Sequence, residues 1–267
     1  MRAPRVTSNP FVGLHYDDSP LLLPNAWDHA SALVMAGEGF PAVGTTSLAV
    51  AAGVGLPDGA AATRDETLRL ALVLGSQPFL LSVDAEGGFS DDPDEVAEFA
   101  RQLAGVGAVG INLEDGSGPV DRHVAKIAAV KSAVPDLFVN ARTDTYWLGE
   151  HDETETLLRL DAYQQAGADG VFVPGMTDAR EIAALVARLD VPLNVLYSPA
   201  GPTVPHLADL GVSRVSLGSY LYRRALGAAL EAVDEIRAGR RPAGAGRTPA
   251  YDDVQRLTGC RPRAASG

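Results

Sequence analysis

Eight apolar runs of strand length, helical spacing between most of them, and one recurring joint from helix into strand predict an α/β chain closed into a (β/α)8 barrel of the TIM type. The runs fall around residues 21–26, 42–46, 79–84, 109–113, 137–142, 170–173, 192–196 and 214–218. Those reading "AVGTT", "GINLE" and "GVFVP" are almost continuously apolar, as parallel strands covered on both faces must be. The joint recurs as "MAGEGFPAVG", "LAGVGAVGIN", "QAGADGVFVP" and "DLGVSRVSLG". In each copy a glycine, Gly37, Gly105, Gly167 or Gly211, is expected just past a helix end, where a left-handed residue carries no Cβ penalty. Strand count alone fits an open doubly wound sheet as well, but no GxGxxG follows the first strand, which favours the closed barrel.

The barrel is expected over residues 1–237, with residues 238–267 forming a Gly/Pro/Arg-rich linker ("AGRRPAGAGRTP" at its start) and a short helical tail from "AYDDVQRLTG". A net charge of −12 and the lack of a Lys/Arg run before the tail argue against a nucleic-acid partner. Cys260 is the only cysteine, so no internal disulfide can form. The first residues, "MRAPRVTSNP", lack the apolar stretch of a signal peptide, and no segment reaches the length of a membrane span. A cytoplasmic protein with small-molecule or protein partners is the expectation.

Side chains at the C-terminal ends of barrel strands converge on one mouth. The third strand ends in Asp84 and Glu86, the fourth in Glu114 and Asp115, the fifth in Asn140, Arg142 and Asp144. Period-two alternation puts Asp84 with Glu86 on one face, and Asn140 with Arg142 and Asp144 on another. Each acid alone could be a solvated loop residue or a helix cap. Acids ending consecutive strands repel one another in a partly dry mouth, and a divalent cation removes that repulsion. Oxygen ligands without His or Cys point to Mg2+ or Mn2+, which keeps several waters. Gly87 and Gly88 allow a sharp turn beside such a site. Arg142 could present a fork to a carboxylate or oxyanion, or form a structural ion pair. Thr46, Ser47 and Leu48, with free backbone N–H groups, could cradle a carboxylate, and Asp58 could fold back over the mouth.

The ordered series "LLLPNAWDHASALVMAGEGFPAVGTTSLAVAAGVGLPD", "VDAEGGF", "INLEDG" and "ARTD" resembles the isocitrate lyase/phosphoenolpyruvate mutase superfamily over roughly residues 15–235. The resemblance implies a (β/α)8 barrel whose last helix is exchanged between subunits in a homodimer or homotetramer, bound Mg2+, and a small α-oxo acid whose enolate is stabilised. It implies that Thr46, Ser47 and Leu48 hold the substrate carboxylate and that Asp84, Glu86 and Glu114 surround the metal. Arg142, with Asn140 nearby on its strand, would contact substrate oxygens, and Asp58 would lie near the metal waters. Glu86 stands where aspartate is usual in the family. The lyase loop with its Lys-Cys-Gly-His motif is absent, since "EDGSGPVDRHVAKIAAV" passes into helix within a few residues.

The short loop favours decarboxylation of the oxaloacetate type, which needs no base, over methylisocitrate-type cleavage, which does. A base could still come from His123, Tyr146 or His151, although the two histidines read better as surface residues. Phosphonomutase or phosphonopyruvate hydrolase chemistry stays open through Gly218 and Ser219, which could receive an anion at a helix N-terminus. Lys126 and Lys131 lie in a helical stretch rather than at a strand end, which discards Schiff-base chemistry. A barrel that binds an oxo acid without turnover is the non-enzymatic alternative.

Overall fold

The computed structural model describes residues 8–149, 152–244 and 248–258, so His151 and Cys260 lie outside the described residues. After a short helix α1 (Pro10–Gly13), the chain runs β1 (Leu21–Leu23), β2 (Asn25–Ala26), α2 (His29–Gly37), β3 (Ala42–Thr45), α3 (Ser47–Val54), α4 (Arg64–Leu74) and β4 (Leu80–Asp84). It continues through α5 (Pro93–Gly105), β5 (Ala108–Glu114), α6 (Val120–Ala133), β6 (Phe138–Arg142), α7 (Glu153–Gln165) and β7 (Gly170–Val173). Then come α8 (Ala179–Arg188), β8 (Leu193–Leu196), α9 (Val204–Asp209), β9 (Arg214–Ser216), α10 (Tyr220–Arg237) and α11 (Tyr251–Leu257).

All pairings are parallel, in the order β1-β9-β8-β7-β6-β5-β4-β3-β2. The nine segments make eight staves, because β1 and β2 are the two halves of one strand interrupted at Pro24. Proline has no N–H to give the ladder. The first half pairs with β9, Leu21 facing Arg214, and the second with β3, Asn25 facing Gly44. That division closes the barrel, as the eight apolar runs and intervening helices predict.

The joints are partly as expected. Gly167 and Gly211 are left-handed (φ 104° and 84°) just after α7 and α9. Gly37 and Gly105 are instead the last residues of α2 and α5, and the left-handed residues are Gly39 and Gly107 (φ 91° and 106°). Each of these helices runs on to the first glycine of its pair and turns at the second.

The floor of the barrel is plugged by α1, capped by the Asn9 side chain, which accepts from Phe11 N–H. Phe11 is fully buried, edge-on to Phe138, and His15 stacks on the same ring at 4.2 Å. A Cβ at Gly110 would lie 2.8 Å from the Phe11 ring, so the plug depends on a glycine there. Above it lies a polar layer inside the barrel. Asn140 donates to Asn112, Arg214 donates to Asn112 and to Ser216, and Asn194 donates to Ser216. Outside the staves, helix faces carrying Leu74, Phe99, Leu103, Ile127, Leu160 and Ile182 complete the main core.

The C-terminal part differs from the other helices. No residue of α10 is buried, and Leu226, Leu230, Val233 and Ile236 are exposed along one face of it. The tail helix α11 lies on α2 of its own chain, where His29 Nε2 donates to the Leu257 carbonyl at 3.1 Å. No helix among the described residues is long and apolar enough to cross a membrane.

Candidate active site

The third to fifth staves of the barrel, β4, β5 and β6, bring Asp84, Glu114 and Arg142 to its C-terminal mouth in register. Asp84 faces Asn112 on β5, and Glu114 faces Arg142 on β6. Arg142 is the hub. Its Nη1 donates to Glu114 at 2.8 Å and its Nε to Asp144 at 2.6 Å. The fork expected to be open to substrate is thus engaged on two sides, and no bond to Nη2 is present among the described residues. Phe172 and Trp147 each lie 5.9 Å from the guanidinium carbon.

Burial raises Glu114 to about 8; the pull of Arg142 opposes this, and Asp84, Asp144 and Glu86 push it further up. Burial likewise raises Glu86 and Asp144, with Asp84 adding to both. Asp58 sits at the rim, and partial desolvation together with Asp84 raises it against the opposing effects of Ser47 and Arg142. These shifts describe one acid cluster that a single guanidinium does not neutralise.

Each expected cradle residue is accounted for. Thr46 is buried at the N-cap of α3, and the Ser47 N–H donates to Asp84 Oδ2 at 3.2 Å. Leu48 follows in the first turn of the same helix, half-buried. Asp84 is itself fixed, its N–H donating to Thr45 Oγ1. Glu86 is buried in a left-handed conformation (φ 47°), a strained geometry for a residue with a Cβ. Both its oxygens are held by the loop between α3 and α4, from Ala61 N–H at 3.1 Å and Thr63 Oγ1 at 2.7 Å. Asn140 is not brought into the mouth: two residues below Arg142 on β6, its amide belongs to the polar layer.

Among the described residues no three Asp, Glu, His or Cys side chains converge as a direct metal cage. Asp84, Glu86 and Glu114 therefore do not form a three-carboxylate shell. They do fit Mg2+, which takes one or two carboxylates and keeps its waters, and their unneutralised mutual repulsion is what such a cation relieves.

Asp115, the first residue past β5, points the other way, toward α7. Its carboxylate accepts from Tyr163 at 2.6 Å, Arg159 at 3.0 Å, Ser117 N–H and Asp144 N–H. Burial alone would raise it, and these donors hold it below the usual carboxylate range. The turn after β5 is pinned in the process, with Gly118 N–H on the Asp115 carbonyl and Arg159 on the Gly118 carbonyl.

His123 is not on the surface. It is 3% exposed against Tyr163, and burial lowers it to about 4. Tyr146 is buried as well, and desolvation with Glu181 nearby raises its hydroxyl to about 12. The Gly218 N–H is bonded to Asn25 Oδ1 at 2.7 Å, so the anion subsite expected at Gly218 and Ser219 has lost that donor. Lys131 is held by Asp169 and two carbonyls, and Lys126 by the Gly87 carbonyl at 2.8 Å; neither stands at a strand end. Trp147, whose exposed indole borders Arg142, was not singled out by sequence; its one signal is the apolar pair Trp147-Leu148 in an otherwise polar loop after "ARTD".

A parallel barrel with carboxylates and one arginine at its strand ends has the layout of a class, the barrel enzymes, whose active site lies at that mouth. Within that class, the profile described as Phosphoenolpyruvate phosphomutase matches residues 11–237, and the chain belongs to this family, within the isocitrate lyase/phosphoenolpyruvate mutase superfamily of lyases and mutases. It is 46% identical over 234 residues to an uncharacterized Mycobacterium tuberculosis protein, covering 86% of this chain and 89% of that one. It is 30% identical over 203 residues to a Bacillus subtilis 2-methylisocitrate lyase, covering 71% and 66% respectively. A solved structure from Burkholderia cenocepacia J2315, assigned to the lyases or mutases, superposes with a TM-score of 0.85 at 36% identity, covering 94% of each chain.

Proposed function

We propose that the protein is a Mg2+-dependent enzyme that cleaves a C–C bond of a small α-oxo acid through an enolate, in the manner of oxaloacetate decarboxylation. The observation that carries this reading is the short turn after β5, fixed by Asp115 and Arg159, where the resemblance to the superfamily's lyases implies a longer loop with a Lys-Cys-Gly-His motif. Of the proton-transfer candidates named by sequence, His123 is buried against Tyr163 on α7, the Tyr146 hydroxyl is held protonated by burial, and His151 lies outside the described residues.

In this mechanism the substrate's α-carboxylate lies at the start of α3, near Thr46, Ser47 and Leu48. Arg142, oriented by Glu114 and Asp144, donates to the oxo oxygen as charge grows there. Asp84, Glu86 and Glu114 would hold the cation, chiefly through its waters, with Asp58 at their rim. When bound, the cation supplies further neutralisation of that growing charge. The bond from the β-carbon to the leaving carboxylate breaks, its electron pair enters the enolate, and the carboxylate departs as CO2. Water then returns a proton to the β-carbon.

The test is pyruvate release from oxaloacetate, 2-methylisocitrate and phosphonopyruvate, with Mg2+ and after EDTA. Release from oxaloacetate alone, lost with EDTA and restored by Mg2+, is expected. Preferred turnover of 2-methylisocitrate or phosphonopyruvate would replace this reading with the corresponding lyase or hydrolase. Oxo-acid binding without any turnover would make the barrel a binder. The expected setting is the cytoplasm, as a homodimer or homotetramer.

A further inference from the structure

The loop after β6 has a rigid base and an apolar crest. Thr143 N–H bonds to the Phe172 carbonyl, Asp144 N–H to Asp115, and the Thr145 and Thr156 hydroxyls to each other at 2.6 Å. Gly175 leaves room for it, since a Cβ there would lie 2.9 Å from the Tyr146 carbonyl oxygen. On this base Trp147 and Leu148 are 55% and 58% exposed, and the indole borders the guanidinium of Arg142. An indole held in water beside the hub of the site, with an exposed leucine next to it in sequence, is stabilised when something apolar covers it.

The charges around the mouth are equally one-sided. Arg142 is bonded to Glu114 and Asp144, Lys126 to the Gly87 carbonyl with Asp91 nearby, and Arg159 to Asp115 and Glu155. No cation is left over among these three for a second anionic group on the substrate.

We propose that Trp147, with Leu148, is the wall against which the distal part of the substrate lies, and that it makes the site select α-oxo acids whose far end is apolar or becomes neutral on reaction over those keeping a fixed distal anion. This rests on the oxo-acid reading above and adds the substrate class. A carboxylate that leaves as CO2 satisfies the wall, whereas a phosphonate dianion does not.

Calorimetric titration of the full chain in Mg2+ tests it, using oxamate, N-butyl oxamate and N-oxalylglycine, which share one head group. N-butyl oxamate should bind about tenfold tighter than oxamate, from the alkyl area covered by the wall. N-oxalylglycine, with a carboxylate in that position, should bind no tighter than oxamate. Trp147→Ala should abolish the butyl gain, so that N-butyl oxamate binds no tighter than oxamate, and Trp147→Phe should retain most of it. Oxamate binding without a butyl gain, or a gain that survives Trp147→Ala, overturns the wall alone. Failure of oxamate to bind overturns the oxo-acid reading and the wall with it.

Discussion

Arg142 shows how much the function leans on single side chains. Lysine cannot bond Glu114 and Asp144 together while also facing a ligand, so Arg142→Lys should raise KM for an oxo acid about tenfold or more, read from initial rates. Asp84→Asn keeps an acceptor for Ser47 N–H but removes a charge from the cluster, and Mg2+-dependent turnover should be lost with the melting temperature within a few degrees of wild type. His15 makes a different prediction. Its Nδ1–H donates to the Phe11 carbonyl, and burial, with Arg214 facing it, lowers it to about 3. The unfolded chain therefore takes up a proton near pH 6.5 that the folded chain refuses, and stability falls as pH drops from there toward 3, by up to about 1.4 kcal/mol per unit. Urea unfolding at pH 7 and 5 should show wild type losing more stability on acidification, or gaining less, than His15→Leu does over the same step. Asp84, Glu114 and Arg142 were legible because alternation fixes their side within a strand. Glu86, Asp115 and Asp144 lie past the strand ends, where alternation no longer applies, and Glu86 turns left-handed toward the loop between α3 and α4 rather than sharing a strand face with Asp84. Asn140 and Arg214 were not legible as parts of an interior layer, because a lone polar residue in an apolar run does not say whether it lies at the mouth or beneath it.

At the scale of elements, the turn after β5 and the helix α10 matter most. The eight staves were readable from continuous apolar runs, while the break at Pro24 and the plug α1 were not, since both depend on partners far away in sequence. The tail helix was readable from "AYDDVQRLTG", but its seat on α2 was not. Leu226, Leu230, Val233 and Ile236 follow helical spacing, yet their own barrel leaves Leu230 67% exposed. We infer that a second copy covers this face. Wild-type protein should elute as a dimer or tetramer in size-exclusion chromatography with light scattering, and Leu230→Asp should shift it toward monomer with its far-ultraviolet circular dichroism unchanged.

For the molecule as a whole, a barrel supplies a mouth from many strands at once, and this chain crowds its mouth with negative charge. The seam that completes the cylinder has a temporal consequence. It joins Leu21 to Arg214, almost the two extremes of the barrel sequence, and Leu23 accepts from Leu217 N–H. During synthesis the curved sheet therefore has two bare edges until the ribosome has nearly finished, and a product truncated before β9 would keep both, inviting strand pairing between incomplete chains.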